Sequence, residues 1–210
     1  MDEIPLLRGV SHFWAVWFAA AGAVVLVVIA SGTTARASAV IYGIGLIALF
    51  GGSALYHRWR WNPRWRPLLR RIDHSTIFVF IAASYTPVGL LVLDGTVQVV
   101  VMVAVWVGAA GGVAFSLAWI DAPRALQAGL YIGLGWVAVI GTPQIADKLG
   151  AAPLSLLGAG GVLYTAGAVI YALQRPNPWP RTFGFHEIFH ALVIAAAVCH
   201  FIAMAGWVVP

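Results

Sequence analysis

The sequence predicts an all-α integral membrane protein, a bundle of seven transmembrane helices, on three observations. The chain of 210 residues is 61% hydrophobic and only 9% charged, against about 25% charged in ordinary soluble proteins, so it has too few polar side chains to coat a water-facing globule. Seven apolar runs reach the length of about 20 residues that a helix needs to cross a hydrocarbon core. The basic residues fall almost entirely into alternate gaps between those runs.

The runs occupy residues 13–31, 38–56, 75–93, 97–119, 125–144, 153–173 and 185–208. Polar or Pro/Gly breaks separate them at Ser31–Ser38, Arg58–Asp73, Asp94–Gly95, Asp121–Arg124, Asp147–Pro153 and Arg175–Arg181. Seven such units use up the chain, so residues 1–210 are expected to form one transmembrane domain. The first run is too long for a cleavable signal peptide, lacks a small-residue cleavage site and is followed by more runs of the same kind.

Short cytoplasmic loops accumulate Lys and Arg. With the N-terminus inside, the inner segments hold Arg8, six arginines between 58 and 71, Arg124, Arg175 and Arg181, while the outer segments hold only Arg36 and Lys148. The asymmetry predicts a cytoplasmic N-terminus, an outer C-terminus and a multi-pass protein of the cell (inner or plasma) membrane. The formal net charge of +5 is therefore a topology signal, and no nucleic-acid partner is expected. One cysteine, Cys199, excludes an internal disulfide and a multi-cysteine zinc cluster. Trp59, Trp61, Trp65, Trp119, Trp179 and Trp207 suit interfacial belts. Gly108, Gly111, Gly112, Gly129 and Gly133 are expected to form close-packing seams, because lipid supplies no hydrophobic drive between helices.

Ionisable groups inside spans are costly and mark functional sites by default. They are His57 at the end of span two, Asp73 and His74 at the start of span three, His186, Glu187 and His190 at the start of span seven, and His200 further along it, with Ser53 as a polar companion. The end of span two and the starts of spans three and seven share one depth. Residues four apart share a helix face, which pairs Ser53 with His57 and His186 with His190. An isolated His-x-x-x-His is more often polar packing than a metal pair, but a third imidazole and a carboxylate at the same depth favour metal. Three nitrogen ligands with an open fourth position describe a catalytic zinc site rather than a structural one. Asp73 is then placed to accept a proton from, or orient, the attacking water, with Ser53 adding a hydrogen bond.

The remaining polar groups have plainer readings. Glu187 lies about 100° round the helix from His186 and suits a first-turn carboxylate at the helix dipole. His74 is similarly rotated from Asp73 and reads as an interfacial partner. His200 lies about 15 Å along the axis beyond His190, too far to share a metal, and reads as a buried hydrogen-bonding group. His186-Glu187-Ile188-Phe189-His190 also fits the metalloprotease pattern H-E-x-x-H, and Leu93-Asp94-Gly95 would supply an aspartate. Asp94, however, follows span three on the opposite side of the membrane, which excludes that protease.

Three spaced blocks carry a resemblance: Ser53-Ala-Leu-Tyr-His57; Asp73-His-Ser-Thr-Ile-Phe with Ser84-Tyr-Thr-Pro87 downstream; and His186-Glu-Ile-Phe-His190 followed by His200-Phe201. With its seven spans the chain resembles the hemolysin III family, the bacterial branch of the progestin and adiponectin-receptor (PAQR) proteins, distantly related to alkaline ceramidases. The resemblance implies zinc held by His57, His186 and His190, with Asp73 beside it and Ser53 in support. It also implies hydrolysis of a lipid amide such as ceramide, the lipid entering laterally from the bilayer. Glu187 departs from the Gln of receptor members, so a base role for it is unnecessary. Two other readings stand beside the hydrolase: a non-catalytic membrane-homeostasis or sensing protein in which zinc clasps spans two, three and seven, and a pore-forming hemolysin. The spans offer few polar residues at mid-depth to line a water-filled pore.

Overall fold

A computed structural model describes residues 5–210. Seven helices are long and apolar enough to cross a membrane, and no strand forms among the described residues. They are α1 (Val10–Ile29), α2 (Thr33–Arg58), α3 (Arg66–Leu91), α4 (Gly95–Ala118), a fifth span in several pieces, α7 (Ala151–Leu173) and α8 (Phe185–Ala203), which ends in a π turn (Met204–Val208). Packing runs from α1 through α2 and α3 to α4, then through the fifth span to α7 and α8, and α8 returns to α1. Backbone hydrogen bonds from Leu6 to Arg181 (3.1 Å) and from Leu7 to Thr182 (3.3 Å) tie the N-terminal segment to the loop before α8. A bond from Ser31 to Val209 (3.3 Å) closes the other end.

Three expected breaks are corrected. α2 starts at Thr33, so Arg36 lies inside a helix instead of in the Ser31–Ser38 break. α3 starts at Arg66, about two turns before the expected residue 75, with Pro67 in its first turn where a missing amide costs nothing. Long arginine side chains allow polar residues there: Arg70 Nη1 reaches Asp121, just past α4, at 2.8 Å, and Arg71 Nε donates to the Leu117 carbonyl in the last turn of α4 at 3.0 Å. No loop spans Asp147–Pro153; the helix continues to Leu149 and the chain turns at Gly150 alone, whose φ of 82° only glycine adopts without strain.

The fifth span departs most from expectation. Instead of one helix over 125–144, it comprises α5 (Arg124–Gly135), a 3₁₀ turn (Trp136–Gly141) and α6 (Thr142–Leu149). A side chain inserted into the helix ladder is a recognised cause of such a break. Tyr85 of α3 does this: its hydroxyl donates to the Gly135 carbonyl and accepts the Ala138 amide at 2.7 Å. Tyr85→Phe should leave both groups unpaired inside the bundle and cost about 1–3 kcal/mol, read as a lowered melting temperature in detergent with the metal content unchanged.

The glycine seams form in part. A Cβ on Gly112 would stand 2.2 Å from the Phe78 ring, and one on Gly108 would meet Leu134 at 2.5 Å, so both allow close approach. Gly111, Gly129 and Gly133 face open space and are not seams. Trp59, Trp65, Trp119, Trp179 and Trp207 are exposed near helix ends. Trp61 instead turns its indole N–H to the Leu55 carbonyl at 2.7 Å.

Candidate metal centre

The end of α2, the third turn of α3 and the start of α8 meet at the end of the bundle where the N-terminal segment docks. His57 comes from the last turn of α2, and His186 and His190 from successive turns of one face of α8. One ring nitrogen from each lies within 4.8 Å of those of the other two. His57 Nε2 and His186 Nε2 are 3.1 Å apart, close to the about 3.3 Å that two nitrogens span when each sits 2.0–2.1 Å from a tetrahedral zinc. His186 and His190 are buried and His57 is half-buried. The donor set, three imidazoles in a low-dielectric surround, fits a divalent transition metal. The three histidines are thus positioned to bind one metal ion.

Asp73, buried in α3, brings Oδ2 to 3.4 Å from His57 Nε2. Ser53 is one turn before His57, but its Oγ lies 2.8 Å from Nδ1 of His12 in α1. That histidine is absent from the residues expected at the site. His12 is 2% exposed, its ring stacks on His190 at 3.8 Å and 8°, and its Nε2 has no hydrogen-bond partner among the described residues. Its position could have revealed it: a histidine near the start of the first span shares the depth of the end of the second. Its wall of imidazole fixes the orientation of His190.

Glu187 is buried and committed elsewhere. One carboxylate oxygen accepts Arg8 Nε at 2.5 Å, and the other accepts the Gly184 amide at 2.8 Å. The first-turn reading therefore holds, and the carboxylate also pins the N-terminal segment across the head of α8. Glu187→Gln should cost about 1–3 kcal/mol of stability by weakening that pair while metal stoichiometry stays at the wild-type value, measured by thermal unfolding and elemental analysis. His74 faces Tyr171, their ring centroids 6.5 Å apart. His200 bonds the Leu157 carbonyl through Nε2 at 3.2 Å, as a polar packing group outside the triad. Asp94 lies at the other end of α3, bonding Gln144 at 2.8 Å and pairing with Lys148, which leaves H-E-x-x-H without its aspartate.

Two cavities meet at His57 and His186. A mainly apolar one of about 140 Å³ is walled by Ile77, Phe80, Tyr131, Phe189 and Val193 and extends to His200. A second, of about 580 Å³ and with a lining half polar and half apolar, opens among Arg8, Trp61, Arg66, Arg70 and Arg124. His57, His74, Tyr171 and His186 line both.

Fold and site together define a class: a seven-helix membrane protein with three buried histidines placed to bind a metal at the end of an apolar cavity. Comparison with known proteins makes the assignment specific. The chain belongs to the haemolysin III family, whose profile, described as Haemolysin-III related, matches residues 3–201. It is 32% identical over 161 residues to the Hemolysin-3 homolog of Bacillus subtilis (strain 168), covering 77% of this chain and 72% of that one. It is 28% identical over 192 residues to Hemolysin-3 of Bacillus cereus, covering 90% and 84%. A shorter stretch of 89 residues is 37% identical to the Adiponectin receptor protein of Drosophila melanogaster, covering 37% and 20%, in keeping with a place among the PAQR proteins.

Proposed function

We propose that this protein is a zinc-dependent hydrolase of a lipid amide, embedded in the cell membrane with the triad near its cytoplasmic face. The observation that carries the reading is the juxtaposition of three metal-ready imidazoles, a buried carboxylate and an apolar cavity in one place. His57, His186 and His190 would hold the ion. Zinc with three nitrogen ligands supplies Lewis-acid polarisation of a carbonyl and an activated water. The apolar cavity receives an acyl chain arriving laterally from the bilayer, which brings the amide carbonyl to the triad. Asp73 accepts a proton as water adds to the carbonyl carbon, then delivers it to the amine nitrogen as the C–N bond breaks. The products are a fatty acid and an amine. Ser53, held by His12, supports this arrangement by a hydrogen bond rather than by attack.

The test is turnover by purified protein of a panel of labelled N-acyl lipids, ceramide included, before and after chelation. Cleavage of at least one amide, abolished by chelation and restored by zinc, supports the reading. An untouched panel in a preparation that holds metal favours the other role the geometry allows, a clasp in which the ion ties α2 to α8.

A further inference from the structure

The second cavity differs from the apolar one in its charge. Four arginines, Arg8, Arg66, Arg70 and Arg124, line it, drawn from the N-terminal segment, α3 and α5, against one lining carboxylate, Asp121. Arg8 is matched by Glu187 and Arg70 by Asp121. Among the described residues neither Arg66 nor Arg124 has an ion-pair partner, Arg124 meeting the neutral side-chain amide of Gln174, so these two arginines bring positive charge to the lining with no described carboxylate against them. Guanidinium groups bind phosphate oxygens through paired N–H donors, and a recessed mouth of one sign concentrates anions. His57 and His186 form part of its wall. An amphiphile whose chain filled the apolar cavity would carry its head past His57 and His186 into the arginine-lined space, since those residues line both cavities.

We propose that this cavity is a seat for a phosphate-class anion, and that the amphiphile taken by the protein bears a phosphate on its head, in contrast to the neutral head of ceramide. The proposal rests on the hydrolase reading for the amphiphile's place across the triad. The charge of the seat can be tested without turnover.

The experiment is a scintillation proximity assay with radiolabelled hexadecyl phosphate on purified full-length protein in uncharged detergent. Neither this probe nor hexadecanol, its neutral counterpart, contains an amide to be cleaved. Hexadecyl phosphate should bind at least tenfold more tightly than hexadecanol competes, and Arg66→Gln/Arg124→Gln should cut that preference to about twofold or less. The charge-matched pair Arg58→Gln/Arg60→Gln, both exposed and outside the cavity, should retain it. If the double variant fails to fold, the single substitutions Arg66→Gln and Arg124→Gln should each lose about threefold. Inorganic phosphate serves as a second competitor: displacement at concentrations equal to the probe assigns the seat to free phosphate, and displacement only at far higher concentrations assigns it to a lipid head. Equal affinity for the two amphiphiles overturns the proposal, as does a preference that survives loss of Arg66 and Arg124 or falls in the Arg58/Arg60 control. A standing preference in a protein that cleaves no amide would sink the hydrolase reading and spare the seat. Amide cleavage without the preference would do the reverse.

Discussion

His190→Ala is expected to empty the metal centre, taking the metal content from near one ion per chain to near none. His190 is 2% exposed and supplies one of three nitrogens that lie within 4.8 Å of one another. With it gone, His57 and His186 remain as a two-nitrogen site. Losing only an outer-shell partner of a metal ligand costs about 10–100-fold in affinity, so loss of a ligand should exceed about 100-fold, and any metal-dependent activity should disappear with it. The truncation also removes the ring on which His12 stacks, so a lower melting temperature is expected for reasons of packing alone. His200→Ala separates the two effects, because His200 bonds Leu157 outside the triad: it should soften the bundle and keep the metal. Elemental analysis of the two variants beside the wild type decides the matter, and metal retained in His190→Ala would show that this histidine is no ligand.

Asp73→Asn should have the next largest effect, and it separates chemistry from coordination. The substitution preserves shape and burial but cannot accept a proton. If Asp73 is the proton acceptor, turnover should fall by about 10²–10⁴-fold, the range carried by a positioned general base, while metal content stays at the wild-type value. The carboxylate stands 3.4 Å from His57 Nε2, near enough for a different outcome to be informative. Loss of metal along with turnover would make Asp73 a fourth ligand, closing the site in the manner of a structural zinc and favouring the clasp. Steady-state kinetics on the best substrate of the amide panel, with metal analysis on the same preparation, distinguishes the two.

The architecture was readable because membrane spans leave a signal that needs no tertiary information: backbone polar groups in lipid must be satisfied within each segment, which makes each span a long apolar run. The meeting of His57 with His186 and His190 was readable for the same reason, since span count and direction alone bring the end of one helix and the starts of others to one depth. The misses have local causes. α3 begins early because Arg70 and Arg71 find acceptors on Asp121 and Leu117, partners invisible to a hydropathy count. The fifth span breaks because a hydroxyl 50 residues away in sequence enters its ladder. Gly129 and Gly133 carry the same four-residue spacing as Gly108 and Gly112, which do pack, and only the facing surface tells the pairs apart. His12 escaped because a lone histidine near the start of the first span looks like an end-of-helix residue until α1 is placed beside α2 and α8. Ser53 shares a face with His57 as expected, yet its hydroxyl turns to His12, a choice that helical spacing cannot express.

Every proposed role of the site requires His57, His186 and His190 to bind one zinc ion, and hydrolysis requires a position on it left open. X-ray absorption at the zinc edge, on protein purified without added metal, addresses this most directly. It should show one zinc per chain with three imidazole nitrogens at about 2.0–2.1 Å and a light-atom ligand that no protein imidazole supplies. Absence of zinc, or a shell of four histidine nitrogens that recruits His12, would contradict it.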